Sequence, residues 1–424
     1  MSPRPEAKDL FAQAYELEGQ AREAFLKSAC GEDAELRLEV QRLLVKSEKV
    51  DAFFANAGGE TNGAAGFDEP ISEREGDRVG VYVLRQKIGE GGFGTVWMAE
   101  QSEPISRMVA LKVVKAGMDT REVLARFQAE RQALAMMAHP HIAKILDAGA
   151  TPLGRPYFAM ELVKGSPITD FCKGRNYGPR EILTLFLDVC SAVSHAHQKG
   201  IIHRDLKPSN VMVTLHGDKP VVKVIDFGIA KATQDKLTDK TLFTRFEQFL
   251  GTPVYMSPEQ AAMSGLDIDT RSDIYGLGVL LYELFAGKPP FDRKTLISAG
   301  YDEMRRIIKE DEPPKPSTRL AQSSSRTTQP DHPEHHITSH TLLGELDWIV
   351  MKAIEKDRAR RYETANGFAN DIGRYLNNEP VEAAAPSSAY KFRKFVQRNR
   401  GAFAAAAVIA LVLVVAAVSS TWLA

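Results

Sequence analysis

The sequence predicts an α+β protein in which a small β-rich lobe precedes a larger α-helical lobe, with further helices near both ends of the chain. Three observations lead to this prediction. Apolar and polar residues alternate around a glycine cluster from residue 78 onward, as in strands. Helical periodicity dominates beyond about Thr169. The last segment, 402–424, contains no charged residue and is long enough for a membrane-spanning helix.

Composition narrows the class of protein. The chain has 424 residues, of which 44% are hydrophobic and 26% charged, and this excludes a mostly disordered chain. The net charge is −1, so the chain as a whole does not have the basic character of a nucleic-acid-binding protein. The three cysteines, Cys30, Cys172 and Cys190, are widely spaced, so neither a disulfide framework nor a zinc site is expected. They favour a reducing cytosolic compartment, and the N-terminus lacks the apolar run of a secretory signal.

The first 77 residues are expected to lie outside the two lobes. Leu10, Leu17 and Leu36 belong to apolar sets at helical spacing, which predict a helical accessory region over 1–57. Residues 58–77 are rich in glycine, alanine and acidic residues and predict a linker. Neither segment carries a recognisable chemical motif.

Residues 78–380 are expected to form one domain, with the small lobe over about 78–163 and the large lobe over about 164–380. A polar stretch at about 320–341 interrupts the large lobe. Its four histidines are His332, His335, His336 and His340. Imidazole is a good metal ligand, but the prolines and the loop-like composition favour a solvated insertion.

A glycine-rich segment connects two predicted strands of the small lobe. It comprises Ile88, Gly89, Glu90, Gly91, Gly92, Phe93, Gly94, Thr95 and Val96. Glycines let backbone N–H groups approach phosphates without interference from a Cβ atom, so this segment is a candidate nucleotide-binding turn. A dinucleotide-binding fold is the alternative, but there a helix starts at the last glycine, whereas the residues after Gly94 predict a strand.

Lys112 lies in the middle of an apolar strand. Burial of its charge is costly unless the ammonium meets phosphates and a carboxylate. The candidate carboxylates are Glu130 and Glu122, both on a helix predicted over 121–138. Glu130 is preferred because apolar residues flank it on the face that should pack inward. The alternative is an edge lysine whose ammonium reaches solvent.

Two motifs of the large lobe supply acidic and amide oxygens. In the segment 203–210, Asp205 can orient a substrate hydroxyl and accept its proton, and Lys207 can neutralise a transferred phosphoryl group. Asn210, five residues beyond Asp205, can ligate magnesium. Asp226 is a hard oxygen ligand that also suits Mg²⁺. With the glycine-rich segment, these residues predict phosphoryl transfer.

At these motifs the sequence resembles the eukaryotic-type (Hanks-type) serine/threonine protein kinases of bacteria, over about residues 81–376. The resemblance implies a two-lobed protein-kinase fold with ATP in the cleft between the lobes. It also implies transfer of the γ-phosphoryl group of ATP to serine and threonine hydroxyls of protein substrates. The implied nucleotide-binding residues are Ile88 to Val96, Lys112, and the hinge residues Glu161 and Val163. Met160 matches the gatekeeper position of the family.

The same resemblance assigns the catalytic and metal-binding roles. Lys112 would bind the α- and β-phosphates of ATP and pair with Glu130. Asp205 would be the catalytic base, assisted by Lys207. Asn210 and Asp226 would hold Mg²⁺.

Three positions outside the cleft also match the family. Glu259, in a Ser-Pro-Glu segment, would pair with Arg361, and Asp273 would cap the catalytic loop from a helix. Lys207 together with Thr252 is typical of the serine/threonine class, in which such a threonine contacts the catalytic aspartate.

Arg204, directly before the catalytic aspartate, implies control by phosphorylation. In the family such an arginine is compensated only when an activation-loop phosphate arrives. Thr241 or Thr244 is the hypothesised site of autophosphorylation, a reaction for which a dimer is expected to form. Ordinary solvated threonines are the alternative.

Residues 402–424 would extend ~35 Å as a helix, enough to cross a hydrocarbon core of about 30 Å. The basic segment 381–401 precedes them, and basic residues remain on the cytoplasmic side. We therefore expect a single-pass helix in the inner membrane with the kinase domain in the cytoplasm, the alternative being a buried core helix. This layout resembles membrane-anchored kinases of the Planctomycetes type, whose relatives often carry repeat domains beyond the membrane helix. The chain is therefore expected to be a C-terminally anchored form or to lack a receptor part.

Two other functions compete with an active protein kinase. A pseudokinase scaffold would usually have lost Lys112, Asp205 or Asp226, and all three are present. A small-molecule kinase could share the lobes, but the segment before Glu259 and the long activation loop favour a protein substrate.

Overall fold

The computed structural model describes residues 73–91, 94–114, 137–151, 154–227, 253–262, 268–324, 337–385 and 387–399, with scattered positions between 25 and 40 and between 401 and 412. The chain divides into two units, Met1–Ser72 and Glu73–Ala424. In the first unit, Leu26 and Val40 are buried, and the Leu36 N–H donates to Asp33 Oδ1 (2.9 Å). Most of the predicted helical region and linker lies outside the described residues. All elements below belong to the second unit.

The small lobe is built on an antiparallel sheet. Its described strands are β1 (Arg78–Val79), β2 (Tyr82–Gly91), β3 (Gly94–Gln101), β4 (Arg107–Val114), β5 (Ile145–Ala150) and β6 (Pro156–Glu161). They lie in the order β1-β2-β3-β4-β6-β5. Strand β4 is paired on both sides, and its residues Val109, Ala110 and Leu111 are buried. The predicted β-rich lobe is thus present, with Lys112 on a central strand rather than at the edge of the sheet.

The large lobe is mainly helical, as predicted. Its described helices are α1 (Ile168–Gly174), α2 (Pro179–Gln198), α3 (Pro258–Ala261), α4 (Thr270–Ala286), α5 (Arg293–Ser298), α6 (Tyr301–Glu310), α7 (Pro316–Ser324), α8 (Ser339–Leu342), α9 (Glu345–Ala353), α10 (Ala365–Leu376) and α11 (Ser388–Arg398). A small sheet of β7 (Ser166–Pro167), β8 (Val211–His216) and β9 (Lys219–Val224) lies among them. Helix α4 is buried on nearly all sides, which its almost continuous apolar sequence explains.

Helices α2 and α4 form the centre of the large-lobe core. On α2, Phe186 packs edge-on against Phe368 of α10, with ring centroids 5.5 Å apart. Helix α4 starts at the N-cap Asp269, whose side chain accepts the Arg271 N–H (2.7 Å), and ends at Gly287 with φ of +70°. A left-handed residue at this position favours glycine because it has no Cβ. These two residues define where the buried helix begins and ends.

The predicted ion pair between Glu259 and Arg361 is present. Arg361 Nη1 and Nη2 donate to the two carboxylate oxygens of Glu259 at 2.8 and 2.9 Å, and the Arg361 side chain is fully buried. The Ser272 hydroxyl also donates to Glu259 (2.6 Å). Burial raises the pKa of Glu259, but the bidentate guanidinium more than offsets this, so the pKa lies below its usual value of 4.5.

Several sequence expectations fall on residues that the structure does not describe. The helix predicted over 121–138 is one, and most of the histidine-rich insertion is another, since the description resumes at residue 337 after α7. Within the described residues, no group of three or more potential metal-ligating side chains was found. No described helix combines the length and apolar content that a membrane crossing requires, and most of 402–424 lies outside the described part.

Gly278, in the middle of α4, provides a test of the packing. A Cβ at this position would lie 2.6 Å from Ile354 Cγ2 and 2.8 Å from Ala353 Cβ, at the end of α9. Gly278→Ala should therefore lower the free energy of unfolding by about 1–3 kcal/mol through overpacking. Gly373→Ala on α10 is the matched control, because a Cβ there meets nothing within 4 Å. That variant should be unchanged or up to about 1 kcal/mol more stable in urea unfolding, owing to better helix propensity. Equal effects of the two substitutions would contradict the close contact of α4 with α9.

The lowered pKa of Glu259 predicts a pH dependence of stability. The ionised carboxylate stabilises the fold fully above pH 4.5, and this contribution is lost as the pH falls through the lowered pKa. Glu259→Gln should cost about 3 kcal/mol at pH 7, since it leaves the buried guanidinium unpaired. The difference from the parent chain should shrink as the pH falls from 5 to 3, as measured by urea unfolding.

Glu303→Gln is the control for this experiment. Glu303 pairs with Arg306 at 2.7 Å on the surface of α6, where both side chains are more than 40% exposed. Solvent screens such a pair, so this variant should match the parent chain at every pH. A Glu259→Gln variant that also matches it would show that the buried pair contributes nothing to folding.

Candidate active site

Strand β4 places Lys112 opposite Val96 of β3 and Phe158 of β6. The Lys112 ammonium donates to Asp226 Oδ1, and the two side chains are 14% and 28% exposed. Asp226, two residues after β9, has φ of +57°, a left-handed backbone conformation. These two predicted site residues, 114 positions apart, therefore meet between the lobes. The predicted partner of Lys112, Glu130, and the alternative Glu122 both lie outside the described residues.

The glycine-rich segment is the hairpin between β2 and β3. Gly89 pairs with Val96, Glu90 with Thr95, and Gly91 with Gly94. Gly94 must be glycine, because a Cβ there would lie 2.3 Å from the carbonyl oxygen of Val113.

The rest of the hairpin is open to solvent. Ile88 is 47% exposed, and Glu90 accepts a hydrogen bond from the Lys87 ammonium. A Cβ at Gly91 would meet nothing within 4 Å, so this glycine leaves room above the backbone. Gly92 and Phe93, at the tip, are outside the described residues.

Asp205, Lys207 and Asn210 form one hydrogen-bonded group. Lys207 Nζ lies 2.7 Å from Asp205 Oδ2, and Asn210 Nδ2 donates to the backbone oxygen of Asp205 (2.8 Å) and to its Oδ2 (3.1 Å). Asp205 and Asn210 are buried. Because Asn210 donates through Nδ2, its Oδ1 is the atom suited to a cation.

Buried Asp273 on α4 shapes the backbone before this group. It accepts the N–H of His203 (2.7 Å) and the N–H of Arg204 (2.8 Å), as well as a hydrogen bond from the His197 ring (2.8 Å). Arg204 has φ of +62°, a left-handed conformation uncommon for a side chain of this size. Burial raises the pKa of Asp273, but the hydrogen bonds and the nearby imidazoles lower it by more. The pKa therefore lies below its usual value, and the carboxylate is ionised. The predicted capping role of Asp273 is confirmed by these contacts.

The two loops that carry the carboxylates are joined directly. The Ile225 N–H donates to the backbone oxygen of Asn210 (2.9 Å), which brings Asp226 next to Asn210. The His203 ring lies 4.6 Å from the Phe227 ring and 3.2 Å from the Ile225 carbonyl oxygen. Burial lowers the pKa of His203 more than the nearby carboxylates raise it, so the ring is neutral at pH 7.

His203 and Lys223 are the residues whose roles the sequence did not reveal. His203 was part of a motif, but only the structure shows it as the contact between the loops. Lys223 of β9 lies 3.1 Å from Glu161, the predicted hinge residue at the end of β6. A lone lysine on a strand gives no sequence signal of such a contact.

A small cavity of about 30 Å³ lies beside the Lys112–Asp226 pair. Its lining is Lys112, Val114, Met137, Ala143, Ile145, Phe158, Met160, Asp226 and Phe227. The predicted gatekeeper Met160 thus borders this mostly apolar space. Val163 follows the hinge strand, partly exposed.

The donor set fits a divalent cation and a polyphosphate. Asp226 and Asn210 offer carboxylate and amide oxygens, which are ligands that Mg²⁺ prefers. Lys112 and Lys207 bring ammonium groups to the same cleft, where they can face phosphate oxygens. The arrangement can therefore bind a metal–nucleotide complex and present Asp205 to a hydroxyl.

Comparison with known proteins shows which family the chain resembles. The family model for the protein kinase domain matches residues 82–367. The probable serine/threonine-protein kinase PknB of Bifidobacterium longum is 35% identical over 335 residues, which cover 76% of this chain and 44% of that protein. The serine/threonine-protein kinase PknB of Mycobacterium tuberculosis is 35% identical over 307 residues, covering 71% of this chain and 44% of that protein.

The fold matches as well. The crystal structure of the M. tuberculosis PknI kinase domain superposes with a TM-score of 0.51 at 27% identity, covering 72% of this chain and 99% of that chain. The chain spans less than half the length of the curated relatives it matches. Since the family model covers well over half of its residues, the chain belongs to the protein kinase family.

Proposed function

We propose that the chain is an ATP-dependent serine/threonine protein kinase of the bacterial Hanks type. One observation carries the proposal: the Lys112 ammonium meets Asp226 while the Ile225–Asn210 backbone bond brings Asp226 to the catalytic loop. The charged groups needed for phosphoryl transfer thus converge in one cleft. The serine/threonine kinases among the relatives support the choice of substrate hydroxyl.

The reaction follows from the position of each group. Asp205 orients the substrate hydroxyl and accepts its proton, and Lys207, 2.7 Å from that carboxylate, offsets the negative charge of the transferred phosphoryl group. Asp226 and Asn210 would hold Mg²⁺, which supplies positive charge to the phosphates when bound. Catalysis then depends mainly on positioning and on electrostatic stabilisation.

The small lobe would bind the nucleotide. Gly89 and Gly91 lie in the exposed hairpin, where backbone N–H groups can face phosphates. Lys112 would contact the α- and β-phosphates and pair with Glu130. Glu161 and Val163 would contact the adenine through the hinge backbone.

Phosphorylation of the loop after Asp226 would control activity. Arg204 stands directly before the catalytic aspartate in a left-handed conformation, and a phosphate on Thr241 or Thr244 would bring opposite charge to it. Both threonines are outside the described residues. Autophosphorylation would take place between two chains, so a dimer would have to form for this reaction.

We also propose that the kinase is anchored in the inner membrane, with its catalytic domain in the cytoplasm. The charge-free segment 402–424 and the basic segment 381–401 support this arrangement. In this proposal, the helical region 1–57 and the linker 58–77 precede the kinase domain 78–380, as in the kinases of the Planctomycetes type that the sequence resembles.

Asp205→Asn tests the proposed function. The amide keeps the size of the side chain but cannot accept the proton, so phosphoryl transfer should fall by about 10²-fold or more. Affinity for Mg²⁺-ATP should stay within about threefold, since Asp205 belongs to the large lobe, whereas the residues proposed to bind the nucleotide lie on β2, β3, β4 and the hinge. The measurements are transfer of labelled γ-phosphate to a panel of proteins and nucleotide binding by calorimetry.

The matched control is Asp218→Asn, in the exposed turn between β8 and β9. This variant should transfer phosphate at the parent rate. Equal turnover of the Asp205→Asn variant and the parent would refute Asp205 as the base. Absence of nucleotide binding to the parent chain would refute the kinase proposal as a whole.

A further inference from the structure

Helix α11 is attached to the large lobe by one of its faces. Lys394 is 5% exposed, and its ammonium lies 2.7 Å from Glu345 at the start of α9. Tyr390, one turn earlier, packs edge-on against Trp348 with ring centroids 5.9 Å apart. Lys394 therefore serves as an internal ion-pair partner, and its charge is not presented to solvent.

The segment before α11 is also fixed. Asp371, fully buried on α10, accepts the backbone N–H groups of Glu382 (2.5 Å) and Ala383 (2.9 Å) and the hydroxyl of Tyr362 (2.8 Å). The Val381 N–H donates to the Tyr390 hydroxyl (3.1 Å). Because both the connection and the helix bond to the lobe, the outer face of α11 has a defined orientation relative to the catalytic domain.

That outer face carries exposed aromatic rings. Phe392 is 63% exposed and Phe395 is 49% exposed. Both rings pack edge-on against Phe403, with centroids 6.5 and 5.8 Å away. These three residues are called the aromatic patch below. Large apolar side chains grouped in this way on a surface mark a contact with another apolar phase.

The described positions after the aromatic patch extend its apolar character. Val408, Ile409, Leu411 and Val412 are each at least 60% exposed. Exposed apolar side chains thus continue along the chain beyond Phe403.

Positive charge surrounds the aromatic patch. The sequence of α11 contains four cations and no carboxylate. Apart from the buried Lys394, these are Lys391, Arg393 and Arg398, all exposed. Arg398 lies 3.7 Å from Glu379, so part of its charge is compensated by the lobe. The helix therefore presents aromatic rings and cations on the same outer surface.

A recess of about 400 Å³ lies between these cations and the lobe. Its lining is Asn378, Pro380, Lys391, Phe392, Lys394, Phe395 and Arg398. Ammonium and guanidinium groups beside aromatic rings suit a phosphate attached to a hydrocarbon, because each part of such a molecule meets its own kind of surface.

We propose that the outer face of α11 docks on an anionic phospholipid bilayer. Phe392 and Phe395 enter the interfacial layer, and Lys391, Arg393 and Arg398 lie at the level of the phosphates. A bilayer is favoured because the rings, the excess of cations and the exposed apolar residues after them are continuous. Docking of this face does not require kinase activity.

Docking in this way sets the orientation of the catalytic lobe. Since Lys394 and Tyr390 bind α11 to α9, the lobe cannot rotate about the helix without breaking the Lys394–Glu345 pair. The membrane surface would therefore present the substrate cleft at one angle.

The test places a reporter in the aromatic patch of the full chain. Phe392→Trp is bound to vesicles of brominated phosphatidylcholine, either alone or with 30% brominated phosphatidylglycerol, and the fluorescence of the parent chain is subtracted. Quenching of the reporter should be at least twofold greater in the vesicles with phosphatidylglycerol. It should fall to the level of phosphatidylcholine alone at 0.5 M salt, because the attraction is electrostatic.

Two double variants of the reporter chain distinguish the effect of the α11 cations from that of cations elsewhere on the lobe. Lys391→Gln with Arg398→Gln should reduce quenching to that in phosphatidylcholine alone. Lys288→Gln with Lys309→Gln removes two exposed cations from other parts of the lobe and should leave quenching unchanged. Equal quenching in both kinds of vesicle, or no quenching in either, would overturn the proposal. A failure of kinase activity would leave this result unaffected.

Discussion

The catalytic loop depends on one buried carboxylate. The Asp273 side chain is 1% exposed and accepts hydrogen bonds from two consecutive backbone N–H groups and from the His197 ring. A buried ionised carboxylate is costly unless such donors surround it, so the loop must bring both N–H groups to the first turn of α4. This requirement accounts for the left-handed conformation of Arg204, whose next residue is Asp205. The position of the proposed catalytic base is thus set by the core of the large lobe.

Hydrogen bonds then position the other residues of the site relative to Asp205. Asn210 bonds back to Asp205, and its own carbonyl oxygen accepts the Ile225 N–H. Asp226 follows and meets Lys112 of the small lobe. The contacts span from five to 114 positions of sequence, and together they connect the helical core to the sheet. Since no single element carries the site, its geometry depends on the packing of both lobes.

Much of this could be predicted from the sequence, since short motifs identify residues whose chemistry is local. The two lobes, the strand of Lys112 and the pairing of Glu259 with Arg361 agree with the structure. The contact of His203 with Phe227 and that of Lys223 with Glu161 could not be predicted, because they arise only when distant strands and loops pack. The packing of α11 on α9 could not be predicted for the same reason. The amphipathic pattern of α11 does not identify Glu345 as the ion-pair partner of its buried lysine.

The charges of the described cleft agree with the divalent cation of the proposed function. Burial keeps His203 neutral, so the cations of the described cleft that can meet phosphate are Lys112 and Lys207. Both are engaged by carboxylates, Lys112 by Asp226 and Lys207 by Asp205. The two lysines and the two aspartates balance in charge, so this group has no excess positive charge for a nucleoside triphosphate. Lys112 can turn toward phosphate oxygens only when Asp226 has another cation as its partner, and the neighbouring amide of Asn210 completes a ligand set suited to Mg²⁺. In this structure the Lys112–Asp226 bond therefore pairs the two groups that the proposed function assigns to phosphate and to metal.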